Sequence, residues 1–227
     1  MELPRLLEAM DQVSNALRCP IDEADTLRQI TAAAVDTIPS VEHASISVTD
    51  KNGRIQTLAP TDAIAVRADE LQYELGEGPC LAAFTEPVAQ GEDLADDLRW
   101  ALYGPRAAAL GLGSQIGFQF AAEPYARGAL NLYASEPHCL DLETRRLGIL
   151  FADLVAVALG WSRQNASLHQ ALDTRSMIGQ AIGIVMERYR FDADRAFAFL
   201  VRTSQTGNLK LRDVAAGLIE DTTRRAS

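Results

Sequence analysis

The side chains with the clearest chemical potential lie in residues 171–227, where cations stand beside hydrogen-bonding groups. This region contains nine Lys or Arg and seven Asp or Glu, a net charge of +2, whereas residues 1–170 carry −12. Cations bind phosphates, amides and hydroxyls bind base edges, and an aromatic ring stacks on a base. The candidate RNA contacts are Arg175, Arg188, Tyr189, Arg202, Ser204, Gln205, Asn208, Lys210 and Arg212. The alternative is that these arginines form an ordinary solvated face.

Cys80 is the cysteine whose position suggests reactivity. The three cysteines, Cys19, Cys80 and Cys139, are odd in number and far apart, which argues against a disulfide framework. Cys80 follows Gly78-Pro79 and would begin a helix, where the N-terminal dipole lowers a thiol pKa. Such a thiolate could sense redox state or ligate a haem. The interpretation of Cys80 as a small buried hydrophobe is favoured over these roles.

Enzyme motifs are missing from the sequence. It contains no GxSxG, GxGxxG or P-loop pattern, and outside the C-terminal region its one lysine is Lys51. The acidic residues at 92–93 and 96–97 are either a metal-binding cluster or a solvated turn, and the turn is favoured. We therefore expect no catalytic residues, no metal site and no enzymatic activity.

Composition indicates a folded chain. The 227 residues are 48% hydrophobic and 23% charged, with a net charge of −10. No apolar run approaches the ~18–20 residues that cross a membrane, and the first residues, MELPRLLEAMDQ, do not resemble a secretory signal. A cytoplasmic protein that does not contact membranes is expected.

Residue patterns in the first two thirds of the chain predict an α+β fold, an antiparallel sheet with helices beside it. Helices are expected at 3–18, at about 22–38 and at 62–75. A hairpin is expected from the strand His43–Thr49, through a turn at 50–53, to a strand at 54–58. Later strands are expected at Ser114–Phe120 and Ala129–Ala134, with a turn at 123–128 between them.

A long helix is expected to connect this region to the C-terminal one. From Leu147 onward, apolar residues recur at alternating spacings of four and three, which predicts a helical connector at 151–172, continuous with the helix before it. A parallel dimeric coiled coil is favoured from about residue 154, and a buried Asn would fix its register. The predicted seam is Leu154, Ala158, Trp161, Asn165, Leu168 and Leu172. The alternative is that the first half of this helix packs on its own sheet.

Three short helices are predicted at 173–227. Apolar residues at helical spacing lie in 178–186, 196–201 and 211–219. Asp192 is the predicted N-cap of the second helix, Gly207 its stop, and Asn208 the N-cap of the third. Such a bundle has a thin core and is close to the lower size limit for independent stability.

This C-terminal pattern resembles the ANTAR domain, the three-helix RNA-binding module of bacterial transcription antiterminators. The resemblance rests on Ile178-x-x-Ala181-x-Gly183-x-x-Met186, on Ala196-Phe197-x-x-Leu200, and on Asn208-x-Lys210-Leu211-x-Asp213-Val214-Ala215. The family often has a basic residue between the Ala and the Gly of the first helix. Ile182 stands there in this chain, so the resemblance implies no phosphate contact at that position.

The N-terminal region resembles the GAF sensory domains of actinobacterial GAF–ANTAR proteins. The matching pieces are Gly76-Glu77-Gly78-Pro79-Cys80-Leu81, then Asp93-Leu94 with Arg99-Trp100, Gly113-Ser114, and Gly128-Ala129-Leu130-Asn131-Leu132-Tyr133. The resemblance implies a GAF domain at 1–150 that encloses a small-molecule pocket between sheet and helices. His43, Cys80 and Trp100 are the predicted pocket residues.

The two resemblances together imply a homodimeric regulator of transcription antitermination. A small ligand or a redox change in the GAF domain would control binding of the ANTAR domain to RNA hairpins in a leader transcript. Composition identifies neither the ligand nor a cofactor. Two alternatives stay open: a GAF-type reductase that uses Cys80, and a dimerisation or adaptor protein that does not bind RNA.

Overall fold

The computed structural model of the chain describes residues 23–49, 53–122 and 126–226. These residues form two units that divide between Arg163 and Gln164. The predicted helix at 3–18 and most of the predicted turn at 50–53 lie outside the described ranges. No helix within them is long and apolar enough to cross a membrane.

A five-stranded antiparallel sheet forms the centre of the first unit. The strands lie in the order β2-β1-β5-β4-β3, so β5 is the central strand. Their bounds are β1 His43–Thr49, β2 Ile55–Leu58, β3 Val88–Gly91, β4 Ser114–Ala122 and β5 Ala126–Ala134. Helices flank this sheet, so the predicted α+β class is confirmed.

Seven α-helices and one 3₁₀ turn lie in the described ranges. The helices are α1 Glu23–Thr37, α2 Ala63–Leu75, α3 Pro79–Ala82, α4 Tyr103–Ala109, α5 Leu142–Tyr189, α6 Ala193–Gly207 and α7 Leu211–Ala226, and the 3₁₀ turn is Leu98–Trp100. Asp62 begins α2 by accepting from the amides of Ile64 and Ala65. Gly76 ends it with a left-handed φ of 68°.

The two faces of the sheet differ in polarity. Alternate residues of a strand point to opposite faces, so Ile46, Phe118 and Leu130 share one apolar core with Ile30 of α1 and Phe151 of α5. The residues between them, which include polar side chains on β1, β4 and β5, face α2, α3 and α4. The first face builds the larger apolar core, whereas the second face combines smaller apolar clusters with buried polar side chains.

Several elements of the first unit differ from the sequence prediction. β5 begins at Ala126, and Gly128 pairs with both Val48 and Phe120, so part of the predicted turn is strand. The strand β3 and the helix α4 were not predicted, because four residues are too few to establish an alternating pattern and α4 is only seven residues long.

The second unit contains the last part of α5 together with α6 and α7. Its buried core consists of Ala181, Val185, Ala196, Leu200 and Ala215. Asp192 is the N-cap of α6, as predicted, and accepts from the Arg195 amide at 2.8 Å. The prediction for Asn208 is wrong. Asn208 takes a left-handed conformation (φ 49°) and ends α6, and α7 begins only at Leu211.

Candidate functional site

A layer of hydrogen-bonded polar side chains lies between the polar face of the sheet and helices α2, α3 and α4. We call it the buried polar layer. Apart from Thr57 and Tyr73, which are half-buried, its members are fully buried. The members are Ser45, Ser47, Thr57, Asp69, Gln72, Tyr73, Cys80, Tyr103, Gln115, Asn131 and Tyr133. Because buried polar groups cost free energy unless they are paired, so large a layer is a candidate binding site.

Asp69 is the carboxylate at the centre of this layer. It accepts from the Tyr133 hydroxyl, from Thr57 Oγ1 at 2.8 Å and from Asn131 Nδ2 at 3.2 Å. Burial raises the pKa of Asp69 to about 6, although the hydrogen bond from Tyr133 acts in the opposite direction. Asp69 is therefore mostly ionised at pH 7 and gains its proton in mildly acidic conditions.

Asn131 carries an acceptor with no partner. Its Nδ2 donates to Ser47 Oγ at 2.8 Å and to Asp69, which fixes the orientation of the amide, since the opposite orientation would place two oxygens together. Its Oδ1 is buried and has no hydrogen-bond partner among the described residues. Buried acceptors are nearly always hydrogen-bonded, so a donor from water or from a ligand is expected at Asn131 Oδ1.

A second branch of the layer connects three helices to the sheet. The Tyr103 hydroxyl donates to Gln115 Oε1 at 2.6 Å, and Gln115 Nε2 donates to Gln72 Oε1 at 3.3 Å. Gln72 Oε1 also accepts from the Cys80 backbone amide at 2.8 Å. Burial raises the pKa of Tyr103 well above its ordinary value, so its hydroxyl stays neutral. A displacement of these hydrogen-bonded side chains would therefore be transmitted to α2, α3 and α4 together.

Cys80 belongs to the buried polar layer but not as a thiolate. Its Sγ is fully buried and donates to Ser47 Oγ at 3.1 Å. Burial, reinforced by the negative charge of Asp69, raises the pKa of the thiol. Cys80 is thus buried, as favoured from the sequence, and the lowered pKa of the other interpretation is not found, because α3 is a helix of only four residues and desolvation outweighs its dipole.

The other two predicted pocket residues are not hydrogen-bonded members of the layer. His43 Nδ1 pairs with Asp62 Oδ2 at 2.5 Å, at the start of α2. Trp100 belongs to an apolar cluster that also contains Leu94 and two members of the layer, Tyr103 and Tyr133, and the Arg99 guanidinium lies 4.3 Å from its ring centroid. The structure does not join either residue to the layer by a hydrogen bond. The sequence prediction did not include Asp69, Asn131 or Tyr133. For the last two a signal existed, because they are two residues apart on β5 and therefore lie on the same face of the sheet.

The acidic residues at 92–97 form a surface turn. Asp97 pairs with Arg99 at 2.6 Å, and Asp93 accepts from the Ala95 amide at 3.1 Å. Within the described ranges, no group of three His, Cys, Asp or Glu side chains is placed to hold a metal ion.

The predicted dimer seam needs correction in its first half. Ala158 is only 4% exposed and belongs to the apolar core of the first unit, and Leu154 packs partly against the same core. Both face their own sheet because this stretch of α5 covers it. Val157, which was not predicted, is 55% exposed and Trp161 is 54% exposed. Ala158 is therefore not available for a seam, whereas Val157 and Trp161 are.

The second half of the predicted seam lies in the second unit. Leu168 is 57% exposed and Leu172 is 62% exposed, an unusual condition for large apolar side chains on one helix. The side chain of Asn165 lies outside what the structure describes, so its predicted role as a register-fixing residue stays a prediction.

The predicted RNA contacts divide into paired and unpaired cations. Arg188 pairs with Asp221 at 3.7 Å, and Arg212 with Asp213 at 3.2 Å. Arg175, Arg202 and Lys210 are exposed, and none of them forms an ion pair with another described residue. Among the described residues, these three cations therefore have no ion-pair partner that a ligand would have to displace.

The predicted polar contacts lie at the turn between α6 and α7. The Ser204 hydroxyl donates to the backbone carbonyl oxygen of Leu209 at 2.6 Å, and the backbone amide of Asn208 donates to the backbone carbonyl oxygen of Gln205 at 3.3 Å. Ser204 and Asn208 thus shape the turn, while the Gln205 side chain is exposed.

Tyr189 belongs to an aromatic cluster in the second unit. Its ring stacks on Phe191 with centroids 5.8 Å apart and lies 5.3 Å from Phe199. The side chain is 47% exposed. Its predicted role as a base-stacking residue must therefore compete with contacts to two neighbouring rings.

Two domain families match the chain. The GAF domain matches residues 20–160 and the ANTAR domain matches residues 166–219. No match is found among curated proteins.

Solved structures similar to the chain share its fold at low identity. A GAF domain of a phosphoenolpyruvate-protein phosphotransferase from Coxiella burnetii has a TM-score of 0.57 at 15% identity, covering 72% of this chain and 97% of that one. A bacteriophytochrome from R. palustris has a TM-score of 0.55 at 10% identity, covering 79% of this chain and 41% of that one. The free methionine-R-sulfoxide reductase from Neisseria meningitidis has a TM-score of 0.50 at 14% identity, covering 70% and 91%.

Proposed function

Because the chain belongs to the GAF family and carries an ANTAR domain at residues 166–219, we propose that it is an RNA-binding antitermination regulator controlled by a small polar ligand. Its two domains make it a regulator of the GAF-plus-ANTAR kind. In the proposal, a ligand bound to the GAF domain changes how the ANTAR domain binds hairpins in a leader transcript, which prevents a terminator from forming.

The buried polar layer supports the sensing half of the proposal. Asn131 Oδ1 lacks a donor, and the neighbouring Asp69 is an acceptor held by Tyr133 and Thr57. A small molecule with hydrogen-bond donors would satisfy Asn131 Oδ1 and compete with the Tyr133 and Thr57 hydroxyls for the Asp69 carboxylate. Because the layer also holds α2, α3 and α4, such a ligand would move helices rather than a surface loop.

Exposed apolar residues support a homodimer. Val157 and Trp161 in the first unit, and Leu168 and Leu172 in the second, leave large apolar side chains in water. Pairing of these residues with those of a second copy would remove that surface from water. A dimer would also present two cationic ANTAR surfaces to one RNA, which compensates for the small charge excess of each.

The observation that carries the RNA-binding half is the unpaired state of Arg175, Arg202 and Lys210. Exposed cations that form no ion pair with a described residue lose little when they bind a phosphate, because no such ion pair has to break. Each phosphate contact releases counterions and adds to the salt dependence of binding. A net charge of +2 at 171–227, against −12 at 1–170, directs a polyanion to this part of the chain.

Gel-shift titration of the full chain with a dual-hairpin leader RNA, at several salt concentrations, tests the proposal. Lys210→Ala and Arg202→Ala should each weaken binding and lower the salt slope by about 1. Arg67→Ala is the control, because Arg67 is also an exposed arginine but lies in the first unit, outside the ANTAR domain. Wild-type protein that binds no structured RNA at any salt concentration would contradict the proposal.

The structure favours neither alternative function. A reductase would need Cys80 as an accessible thiolate, whereas the thiol is fully buried and its pKa is raised. In an adaptor that does not bind RNA, Arg175, Arg202 and Lys210, which form no ion pair with another described residue, would be an ordinary solvated face. Co-purification with a protein partner, together with no RNA binding, would support the adaptor instead.

A further inference from the structure

An open groove in the second unit combines an apolar floor with two cations. It encloses about 830 Å³ and is lined by residues of α5, α6 and α7. Ile178, Ile182 and Phe197 supply apolar surface, and Arg175 and Arg212 supply the guanidinium groups. The volume lies within the range of small-ligand sites, roughly 300–1,000 Å³.

Phe197 differs from the other aromatic residues of this unit. Its side chain is 45% exposed, and no ring contact joins it to another described aromatic residue, whereas Tyr189 contacts both Phe191 and Phe199. A large exposed ring at the wall of a groove is available for stacking against a planar ligand.

Gly179 keeps the groove open. It lies inside α5, where glycine is less favourable than alanine, and a Cβ built on it would meet no atom within 4 Å. Packing within the chain therefore does not require glycine at this position. Because Gly179 lines the groove, the missing side chain leaves space for a ligand to approach the helix backbone.

The two arginines favour an anionic ligand, and the apolar floor and exposed ring favour one with a planar apolar part. Arg175 has no ion-pair partner among the described residues, and Arg212 pairs only with its exposed neighbour Asp213. Cations that flank an apolar floor and an exposed ring match a nucleotide, whose phosphate is anionic and whose base stacks.

We propose that this groove binds one unpaired nucleotide of the target RNA. The base stacks on Phe197 above Ile178 and Ile182, and the flanking phosphates bind Arg175 and Arg212. The groove thus requires a single-stranded loop, since a base inside a duplex cannot enter it. The inference rests on the proposed RNA-binding function and adds a requirement for an extruded base.

The test uses the full chain and a pool of RNA hairpins with a fixed stem and a randomised loop, with a fully paired duplex of the same stem as reference. Gly179→Leu fills the groove without removing any contact within the protein. This variant should bind the hairpin RNA at least roughly tenfold more weakly than the wild type. The midpoint of its thermal unfolding should stay unchanged or rise. Gly217→Leu is the matched control, because Gly217 is also an exposed helical glycine with open surroundings and lies outside the groove.

A second pair of variants tests stacking. Phe197→Ala should weaken hairpin binding by roughly 5- to 150-fold, and Phe197→Tyr should restore most of it. Circular dichroism melting shows whether each variant is folded. Equal weakening by Phe197→Ala and Phe197→Tyr would contradict stacking.

The possible outcomes distinguish a failure of the groove proposal from a failure of the proposed RNA-binding function. If Gly179→Leu binds like the wild type while Lys210→Ala binds weakly, the groove is not the base site and the RNA-binding function stands. Equal binding of duplex and hairpin by the wild type also overturns the groove proposal alone. If Gly179→Leu converts dimers to monomers in sedimentation, the groove is an interface between copies. No binding of any RNA by the wild type overturns both.

Discussion

The two units place their polar groups in opposite ways. In the first unit, Asp69, Asn131 and Tyr133 are fully buried, and donors converge on the Asp69 carboxylate from two strands, β2 and β5. In the second unit, Arg202 and Lys210 are exposed and have no ion-pair partner in the described ranges. Buried polar groups need fixed partners, whereas exposed cations do not. The first arrangement suits selection of a small ligand, and the second suits a large polyanion.

Truncation of the thin core in the second unit should have the largest effect. Three of its five buried apolar residues are alanines, so Leu200, which is 1% exposed, supplies much of the buried surface. Leu200→Ala should destabilise the second unit by about 2–5 kcal/mol, a large fraction of the stability of so small a domain. Hydrogen exchange resolved by peptide measures this loss separately for each unit.

The control for Leu200→Ala is Leu168→Ala. Leu168 is 57% exposed, so its truncation should change the free energy of unfolding by less than about 0.5 kcal/mol in monomeric protein. If Leu200→Ala raised exchange equally in α1 and the sheet, the two units would unfold together, and a comparison of separate units would not hold.

Asp69 should make the first unit less stable as pH rises. Its folded pKa, about 6, lies above its ordinary value, so the folded state binds more protons than the unfolded state between about pH 4 and pH 6. The stabilising contribution is complete below pH 4 and is lost as pH rises through 6. At about 1.4 kcal/mol for each unit of pKa, the loss is about 3 kcal/mol.

The pH prediction is measured as a difference between the wild type and Asp69→Asn. Other carboxyls act in the opposite direction, since a hydrogen bond from Ser135 lowers the pKa of Glu42 and one from Arg99 lowers that of Asp97. Subtracting the variant's denaturant-derived stabilities from those of the wild type cancels these contributions. A difference that stayed flat from pH 4 to pH 7 would show that Asp69 is not desolvated.

Most of the fold followed from local patterns, whereas the buried polar layer did not. Strands such as His43–Thr49 and helices such as Ala63–Leu75 have a clear period and recognisable caps or turns. Asp69 lies in an ordinary amphipathic helix, and its partners come from β1, β2 and β5. Only the pairing of these strands brings the side chains together, so a single sequence does not reveal the site.

Two errors have a common physical cause. Ala158 was assigned to a dimer seam, although an apolar stripe that covers the protein's own sheet has the same spacing as one that covers a second helix. Asn208 was assigned as an N-cap, although asparagine also adopts the left-handed conformation that ends a helix. In both cases one residue type fits two structures, and tertiary packing selects between them.

Removal of one donor from the buried polar layer should have an intermediate effect. Tyr133→Phe removes one of the two hydroxyls that donate to the buried Asp69, so we expect a loss of about 1.5–3 kcal/mol in the first unit at pH 7. Ser204→Ala removes a surface hydrogen bond in the second unit and should cost about 0.5–1.5 kcal/mol. Urea unfolding of both variants compares them. A larger loss for Ser204→Ala would reverse the proposed contrast.

The smallest effect is expected for the ion pair between Arg188 and Asp221. The two groups lie 3.7 Å apart, and their side chains are 31% and 38% exposed. A double-mutant cycle with Arg188→Ala and Asp221→Ala should give a coupling of about 0.2–1 kcal/mol that decreases as salt is added. So small a coupling means that RNA phosphates can draw Arg188 away from its partner at little expense in folding free energy. A salt-insensitive coupling above about 2 kcal/mol would show that the second unit also depends on fixed polar geometry, and its paired cations would then be structural rather than available to RNA.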